Sequence, residues 1–251
     1  MSVNISFKGK RVLVTGGGNG LGRALCERLY LEGAIVTALC RNQDWLESLE
    51  RDCPGLRTIC VDLEDWEATR DQLSKLEVMD CLVNNAGVGV AENVMETTPR
   101  GFDKVMNVNL KGMINVGQVI AQKMIDSNQG GTMVNVSSMS SETGSRQNVS
   151  YAMSKAATDM LTKVMAQELG PKHIRVNSVN PTVISGTVLS RALFDETSQG
   201  AMAKKYIVER TPLGRICDME DALNAILFLL SDASAIIQGK SVFLDGGYRA
   251  C

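Results

Sequence analysis

The 251-residue chain predicts an α/β fold, a single doubly wound domain whose seven-stranded parallel sheet is flanked by helices. Three observations predict it. Seven apolar runs rich in β-branched residues recur along the chain, and amphipathic stretches separate them. The runs are continuously apolar rather than alternating, as expected of strands buried on both faces. No internal repeat, low-complexity tract or Pro/Gly-rich linker interrupts the pattern, so residues 1–251 read as one domain.

The elements follow in order. "RVLVTG" (11–16) is a short buried strand, and "LGRALCERLYLEG" (21–33) is a helix closed by Gly33. "AIVTALC" (34–40) is the second strand, followed by a polar helix that includes Trp45 and Leu49. Five further strands are expected at 56–63, 79–87, 131–138, 174–181 and 240–247. One intervening helix starts at Thr98-Pro99, a cap followed by proline at the first helical position. Another starts at Asp218, ahead of "LNAILFLL". Residues 182–212 break the alternation, being partly helical and without a strand. Such an excursion beyond a strand end is either an active-site lid or an ordinary pair of surface helices.

Composition narrows the function classes. A net charge of −2 with interspersed signs gives no attraction to nucleic acid or to an anionic membrane. The seven cysteines are scattered with no C-x-x-C pair, which suits reduced thiols in the cytoplasm better than a disulfide framework or zinc site. "MSVNISFKGKR" has no secretory apolar core, and "AILFLL" is too short to span a bilayer. The single histidine, His173, lies at a helix-to-strand turn with no motif around it, and no metal is called for.

The first strand runs into "TGGGNGLG", where Thr15, Gly16, Gly20 and Gly22 form T-G-x-x-x-G-x-G. Between a strand and a helix, such glycines let the backbone approach a pyrophosphate resting on the helix N-terminus. The fold is therefore expected to be Rossmann-type, with a dinucleotide at this turn. At the end of the second strand Arg41 and Asn42 stand where an acid would hold the ribose of NAD. Guanidinium pairs well with a phosphate dianion, so the cofactor reads as NADP(H). Asp44 is a weaker competing acid. Asp62 is placed to accept from the adenine amino group, and could equally cap the next helix.

"NVSYAMSK" puts Tyr151 one helical turn before Lys155. That spacing alone is commonplace. Ser138, thirteen residues before Tyr151, Asn109 in "MNVNLKG" and "NNAG" (84–87) accompany it in order. Together with the glycine loop and the late proline of "NPTV" (180–183), this set resembles the short-chain dehydrogenase/reductase family over the entire chain. The resemblance implies that Asn109, Ser138, Tyr151 and Lys155 form a catalytic tetrad. It implies cofactor contacts at Gly16, Asn19, Gly20, Leu21, Gly22, Arg41, Asn42, Asp62, Leu63, Asn85, Ala86, Gly87, Tyr151, Lys155, Pro181 and Val183, with Thr182 beside the nicotinamide. Substrate contacts are implied at Ser138, Met139, Asn148 and Tyr151.

The chemistry is coherent by itself. Ketone reduction needs a proton donor at the oxygen, a free phenol titrates near 10, and a nearby ammonium is expected to lower that value. Tyr151 would be acid in reduction and base in oxidation. Lys155 would tune it and hold ribose hydroxyls, and Ser138 would hydrogen-bond the substrate oxygen. The family resemblance further implies that Asn109 holds a water linking Lys155 to solvent.

Within the family the resemblance is strongest to the dicarbonyl/L-xylulose reductases, through "DMLTKVMAQELGPKHIRVNSVNPTV" (159–183), "TPLGR" (211–215), "NAILFLLSD" (224–232) and the terminal "GGYRAC". It implies NADPH-dependent reduction of L-xylulose-like sugars and α-dicarbonyls by a homotetramer, whose tail at Cys251 reaches a neighbouring subunit. Two residues depart from that pattern. Asn19 replaces a basic residue in the glycine loop, and Asn148 stands where a substrate-contacting histidine is expected. The alternatives are a sibling reductase for 3-oxoacyl thioesters or steroids, and a non-catalytic dinucleotide sensor, which would typically lack the Tyr or Lys.

Overall fold

A computed structural model describes residues 5–194 and 197–250. Neighbouring residues of a strand point to opposite faces, and in Arg11–Thr15 both faces are apolar. Val12 and Val14 join one core cluster while Leu13 joins the other. The strands β1 (Arg11–Thr15), β2 (Ile35–Cys40), β3 (Arg57–Cys60), β4 (Cys81–Asn84), β5 (Gly131–Val136), β6 (Ile174–Pro181) and β7 (Ser241–Leu244) lie in one sheet. Their order is β3-β2-β1-β4-β5-β6-β7, and every neighbouring pair is parallel.

The helices are α1 (Gly20–Leu31), α2 (Gln43–Asp52), α3 (Trp66–Ser74), α4 (Pro99–Met106), α5 (Met113–Asp126), α6 (Val149–Leu169), α7 (Val188–Leu193), α8 (Ser198–Glu209) and α9 (Met219–Leu230). Leu25 and Leu29 of α1, Leu46 and Leu49 of α2, and Ile226 of α9 cover the Val12 face. Leu73 of α3, Ile120 and Met124 of α5, and Ala166 of α6 cover the Leu13 face. The doubly wound parallel sheet expected from the sequence is thus the fold observed. Among the described residues, no helix is long and apolar enough to cross a membrane.

The caps explain where several helices begin. Asn19 accepts from the Gly20 N–H at 2.6 Å, Asn42 from Trp45 at 2.9 Å, and Thr98 from Gly101 at 3.0 Å ahead of Pro99. Asp218 and Asp221 form a reciprocal capping box on α9. The cap of α3 is Asp65, accepting from Ala68 at 2.9 Å, so Asp62 is not that cap. The strands are shorter than the apolar runs that contain them. The run 79–87 leaves the sheet after Asn84, and Ser138 lies two residues beyond β5 rather than at its end. Pro181 is the last residue of β6. Strand order reverses between β1 and β4, and in sheets of this kind ligands bind at the C-terminal edge of such a switch point.

Candidate active site

At that edge the loops after β1 and β4 are bonded to each other. The Thr15 hydroxyl accepts from the N–H groups of Asn85 (3.0 Å) and Ala86 (3.1 Å), and the Asn85 amide donates to the Thr15 carbonyl at 2.9 Å. The Asn85 side chain is therefore engaged in holding the glycine loop. Packing here requires bare backbone. A Cβ on Gly16 (φ 68°) would come within 2.9 Å of the Ala86 Cα, and one on Gly22 would overlap the Gly16 carbonyl. Gly20 differs. A Cβ there would meet only Thr187 Cγ2, at 4.0 Å, so open space lies over the N-terminus of α1 and beneath the start of α7. An open cradle at a glycine-flanked helix N-terminus fits a pyrophosphate. Leu21 is buried behind it.

The far end of the cradle is charged. Arg41 leaves the end of β2 and faces Asp62, two residues beyond β3, with N···O 3.6 Å. Asn42 caps α2 and Asn19 caps α1, each through its side-chain oxygen, and as neutral amides neither supplies the charge of the basic residue absent from the glycine loop. Leu63 is buried, and its Cβ lies 2.8 Å from where a Cβ on Gly112 would stand.

The four tetrad candidates meet at the other end. Asn109 lies on the π-helical turn Asn107–Gly112 between α4 and α5. That turn aims its amide inward. Nδ2 donates to the Val88 carbonyl (2.9 Å) and to Ser154 Oγ (3.0 Å), and Oδ1 accepts from the Val88 N–H (2.8 Å). Lys155 is buried, with Nζ donating to the Val136 carbonyl at 2.8 Å and lying 5.4 Å from the Tyr151 ring centroid. A Cβ on Gly87 would sit 3.5 Å from both Lys155 Nζ and Asn109 Oδ1. Ser138 is 8% exposed, and its hydroxyl accepts from the Ser140 N–H at 3.1 Å.

The electrostatics correct one expectation. Burial pushes the Tyr151 phenol above its ordinary value, and the Ser138 hydroxyl draws it part of the way back. Desolvation is the larger effect, and the group that lowers the phenol is Ser138 rather than the Lys155 expected from the spacing. The same burial pushes the Lys155 ammonium down to about 8, with the Asp159 carboxylate working against it.

Around the substrate side, Asn148 occupies the N-cap position of α6 but makes no cap bond. Its amide donates to Ser140 Oγ (3.2 Å) and Ser145 Oγ (3.1 Å), and its backbone pairs with Glu92. Met139 is half-buried in the same turn. Pro181 and Thr182 are buried, Val183 is half-buried, and the Thr182 hydroxyl accepts from the Cys217 N–H at 3.3 Å. Cys251 lies outside the described residues, and His173 is an exposed turn residue in left-handed conformation (φ 59°).

Sequence reasoning missed several participants. Val88 and Ser154 hold Asn109, and a Cβ on Gly89 would lie 3.8 Å from Tyr151 Cδ2. Asn180 Nδ2 donates to Asp159 Oδ2 (2.7 Å), Ser141 Oγ (3.0 Å) and the Ser138 carbonyl (3.3 Å). The one available signal was α6 itself, whose inward positions Ser154, Lys155, Thr158, Asp159 and Thr162 are polar where a core helix is normally apolar.

Residues 16–249 match the family model described as enoyl-(acyl carrier protein) reductase. The chain is 45% identical over 248 residues to carbonyl reductase (NADPH) 2 of Sus scrofa, covering 99% of this chain and 100% of that one. It is 44% identical over 249 residues to L-xylulose reductase of Homo sapiens, with coverage of 99% and 100%. The solved structure of gluconate 5-dehydrogenase from Burkholderia cenocepacia J2315, in complex with NADP and tartrate, superposes with TM-score 0.90 at 30% identity over 98% of each chain. Fold, cradle and relatives together define a dinucleotide-dependent oxidoreductase. The chain belongs to the short-chain dehydrogenase/reductase family.

Proposed function

We propose that the protein is an NADPH-dependent carbonyl reductase acting on small hydroxylated ketones and α-dicarbonyls, with L-xylulose to xylitol as the leading reaction. The observation that carries this reading is the convergence of Ser138, Tyr151, Lys155 and Asn109 beside the open cradle over Gly20. Two relatives named for NADPH-linked carbonyl reduction and for L-xylulose reduction, alike over nearly the whole chain, support it.

NADPH, when bound, supplies the hydride that the carbonyl carbon accepts. Gly16, Gly20, Leu21 and Gly22 would hold its pyrophosphate and Arg41 its 2′-phosphate. Asp62 and Leu63 would hold the adenine, with Asn85, Ala86 and Gly87 along the ribose and Pro181, Thr182 and Val183 at the nicotinamide. As the C=O pair moves to oxygen, the Tyr151 phenol transfers its proton there. Burial keeps that phenol protonated across the neutral range, which suits a donor in the reductive direction. The Ser138 hydroxyl stabilises both the developing alkoxide and the phenolate left behind. Lys155 then returns a proton toward the phenolate, and the water that reprotonates it would bond the Asn109 backbone or the remaining Oδ1 lone pair.

Ser138, Met139, Asn148 and Tyr151 would contact substrate. The hydroxyls and amides of the 138–148 turn suit a polyol better than an acyl chain. Residues 182–212 would act as the lid, since Thr187 stands over Gly20. The protein would work in the cytoplasm and self-associate, as a homotetramer by resemblance. Its outer α6 face, with Met153 (51% exposed), Met160 and Val164 on one line, would serve as a contact surface. A single 27 kDa species at micromolar concentration in sedimentation would remove that part of the reading.

The test is a substrate panel of L-xylulose, diacetyl, a 3-oxoacyl thioester and a 3-ketosteroid, run with NADPH and with NADH. Turnover of the first two with NADPH is expected. Tyr151→Phe should abolish turnover while NADPH still binds, and a tenth of the activity surviving would overturn the assignment of the acid.

A further inference from the structure

Behind the tetrad lies a carboxylate that the reaction as written does not use. Asp159 is 8% exposed, one helical turn beyond Lys155 on α6. Carboxylates are rarely buried without a charged partner. Its Oδ2 accepts from Asn180 Nδ2 at 2.7 Å, and its Oδ1 accepts from Ser178 Oγ at 3.1 Å. Ser178 is bonded in turn to Asn180 Oδ1 (3.1 Å) and to Ser241 Oγ (3.0 Å). Asn180 then reaches the Ser138 carbonyl and Ser141, and it immediately precedes Pro181 and Thr182. One carboxylate thus anchors the turn carrying Ser138 and the end of β6.

The other groups facing Lys155 are neutral. The π-turn presents Asn109 and the end of β5 presents the Val136 carbonyl and Ser137, while Ser178 and Asn180 of β6 bond Asp159 itself. The charged residues of α4 (Arg100, Asp103, Lys104) are exposed, as are Glu142 beyond the Ser138 turn and Lys163 on α6. Tyr151 is the other titratable neighbour, and it carries no charge at neutral pH.

We propose that Asp159 is a positioning residue: through Asn180 it fixes the Ser138 turn, and by its charge it keeps the buried Lys155 amine protonated. The inference rests on the tetrad reading above. Its two halves separate under mutation. Asp159→Asn removes the charge yet preserves the network, since an Asn amide can accept from Asn180 and donate to Ser178. Geometry is then kept and the field is lost.

For Asp159→Asn, the alkaline limb of kcat/KM should move to lower pH by about one unit. At pH 6.5 both kcat and the NADPH Kd, read by quenching of intrinsic fluorescence, should stay within about threefold of wild type. At pH 9 the Kd should rise about tenfold, as a neutral Lys155 loses its hold on the ribose. An unmoved limb with an unchanged Kd at pH 9 would overturn the proposal. If the Asn variant does not fold, Asp159→Ser, smaller and still an acceptor for Asn180, carries the same test. Tyr151→Phe separates the failures. If it stays active the tetrad reading falls, whereas if it is dead and the Asp159→Asn limb is unmoved, only the role of Asp159 falls.

Discussion

At the catalytic end of the cleft, Asn109, Ser154, Lys155, Asp159 and Asn180 are buried and bonded to identified partners. At the adenosine end, Arg41 and Asp62 are 51% and 42% exposed and face each other at 3.6 Å. The physical chemistry of the two ends differs accordingly. Breaking a buried, fully bonded polar group costs about 1–3 kcal/mol per orphaned partner. A surface ion pair is worth about 0–1 kcal/mol and is screened by salt. On the proposed function, proton transfer, which needs fixed geometry in a low dielectric, would be built the first way. Selection of a 2′-phosphate, which needs only a nearby positive charge, would be built the second way. The catalytic end should therefore tolerate almost no change, while the adenosine end can be retuned at little cost to the fold.

The largest effect separating the two ends is expected from Lys155→Met. Activity should fall about a thousandfold, as expected for loss of an acid-base partner together with a positioning contact. Stability should not fall in parallel. Burial holds the Lys155 ammonium at about 8, below the ordinary 10.5, so the folded state resists the charged form. That penalty is complete below pH 8 and disappears as pH rises toward 10.5, because the unfolded chain alone stays protonated between those values. Any stability advantage of the Met variant over wild type should thus be greatest at pH 7 and shrink toward pH 10.5 in urea titrations. A gap that widens with pH would contradict the assignment.

Asn109→Ala comes next. It leaves the Val88 N–H and carbonyl and the Ser154 hydroxyl without this partner. A loss of about 2–4 kcal/mol in unfolding free energy is expected, together with a fall in kcat. A variant of wild-type stability would mean that the π-turn, not its amide, holds the 88–89 loop. Arg41→Ala should behave oppositely. NADPH affinity should weaken about tenfold or more, NADH affinity should change little, and the melting temperature should hold. Equal weakening of both cofactors in titration calorimetry would show that Arg41 does not read the phosphate.

The same contrast governs what the sequence disclosed. Strands, the glycine turn and the Tyr151–Lys155 spacing were legible because period and local backbone need are written in consecutive residues. So were Thr98-Pro99 and Asp218, whose capping is local. The π-turn at Asn109 was not, since a single widened turn between two helices leaves no periodic mark. The Asp159–Asn180–Ser138 network was not, because its members are 21 to 42 residues apart and meet only across the sheet. The raised Tyr151 phenol was not legible for a related reason. Spacing of Lys155 can be read from i,i+4 positions, but the burial that raises the phenol belongs to the assembled fold.

The smallest expected effect is the sharpest test of the adenosine end. Asp62 neutralises part of the Arg41 charge that a 2′-phosphate would meet, and the pair is solvent-exposed, so its own energy is small. Asp62→Asn keeps an oxygen able to accept from the adenine amino group while freeing the guanidinium. NADPH should then bind about two- to threefold more tightly at low salt, NADH should be unchanged, and the gain should vanish near 0.5 M NaCl. Weaker binding of both cofactors would mean that Asp62 acts on the adenine through its charge. Tighter NADPH binding with unchanged NADH binding would identify the Arg41–Asp62 pair as the element that sets cofactor selectivity, at an end of the cleft where the fold has almost nothing at stake.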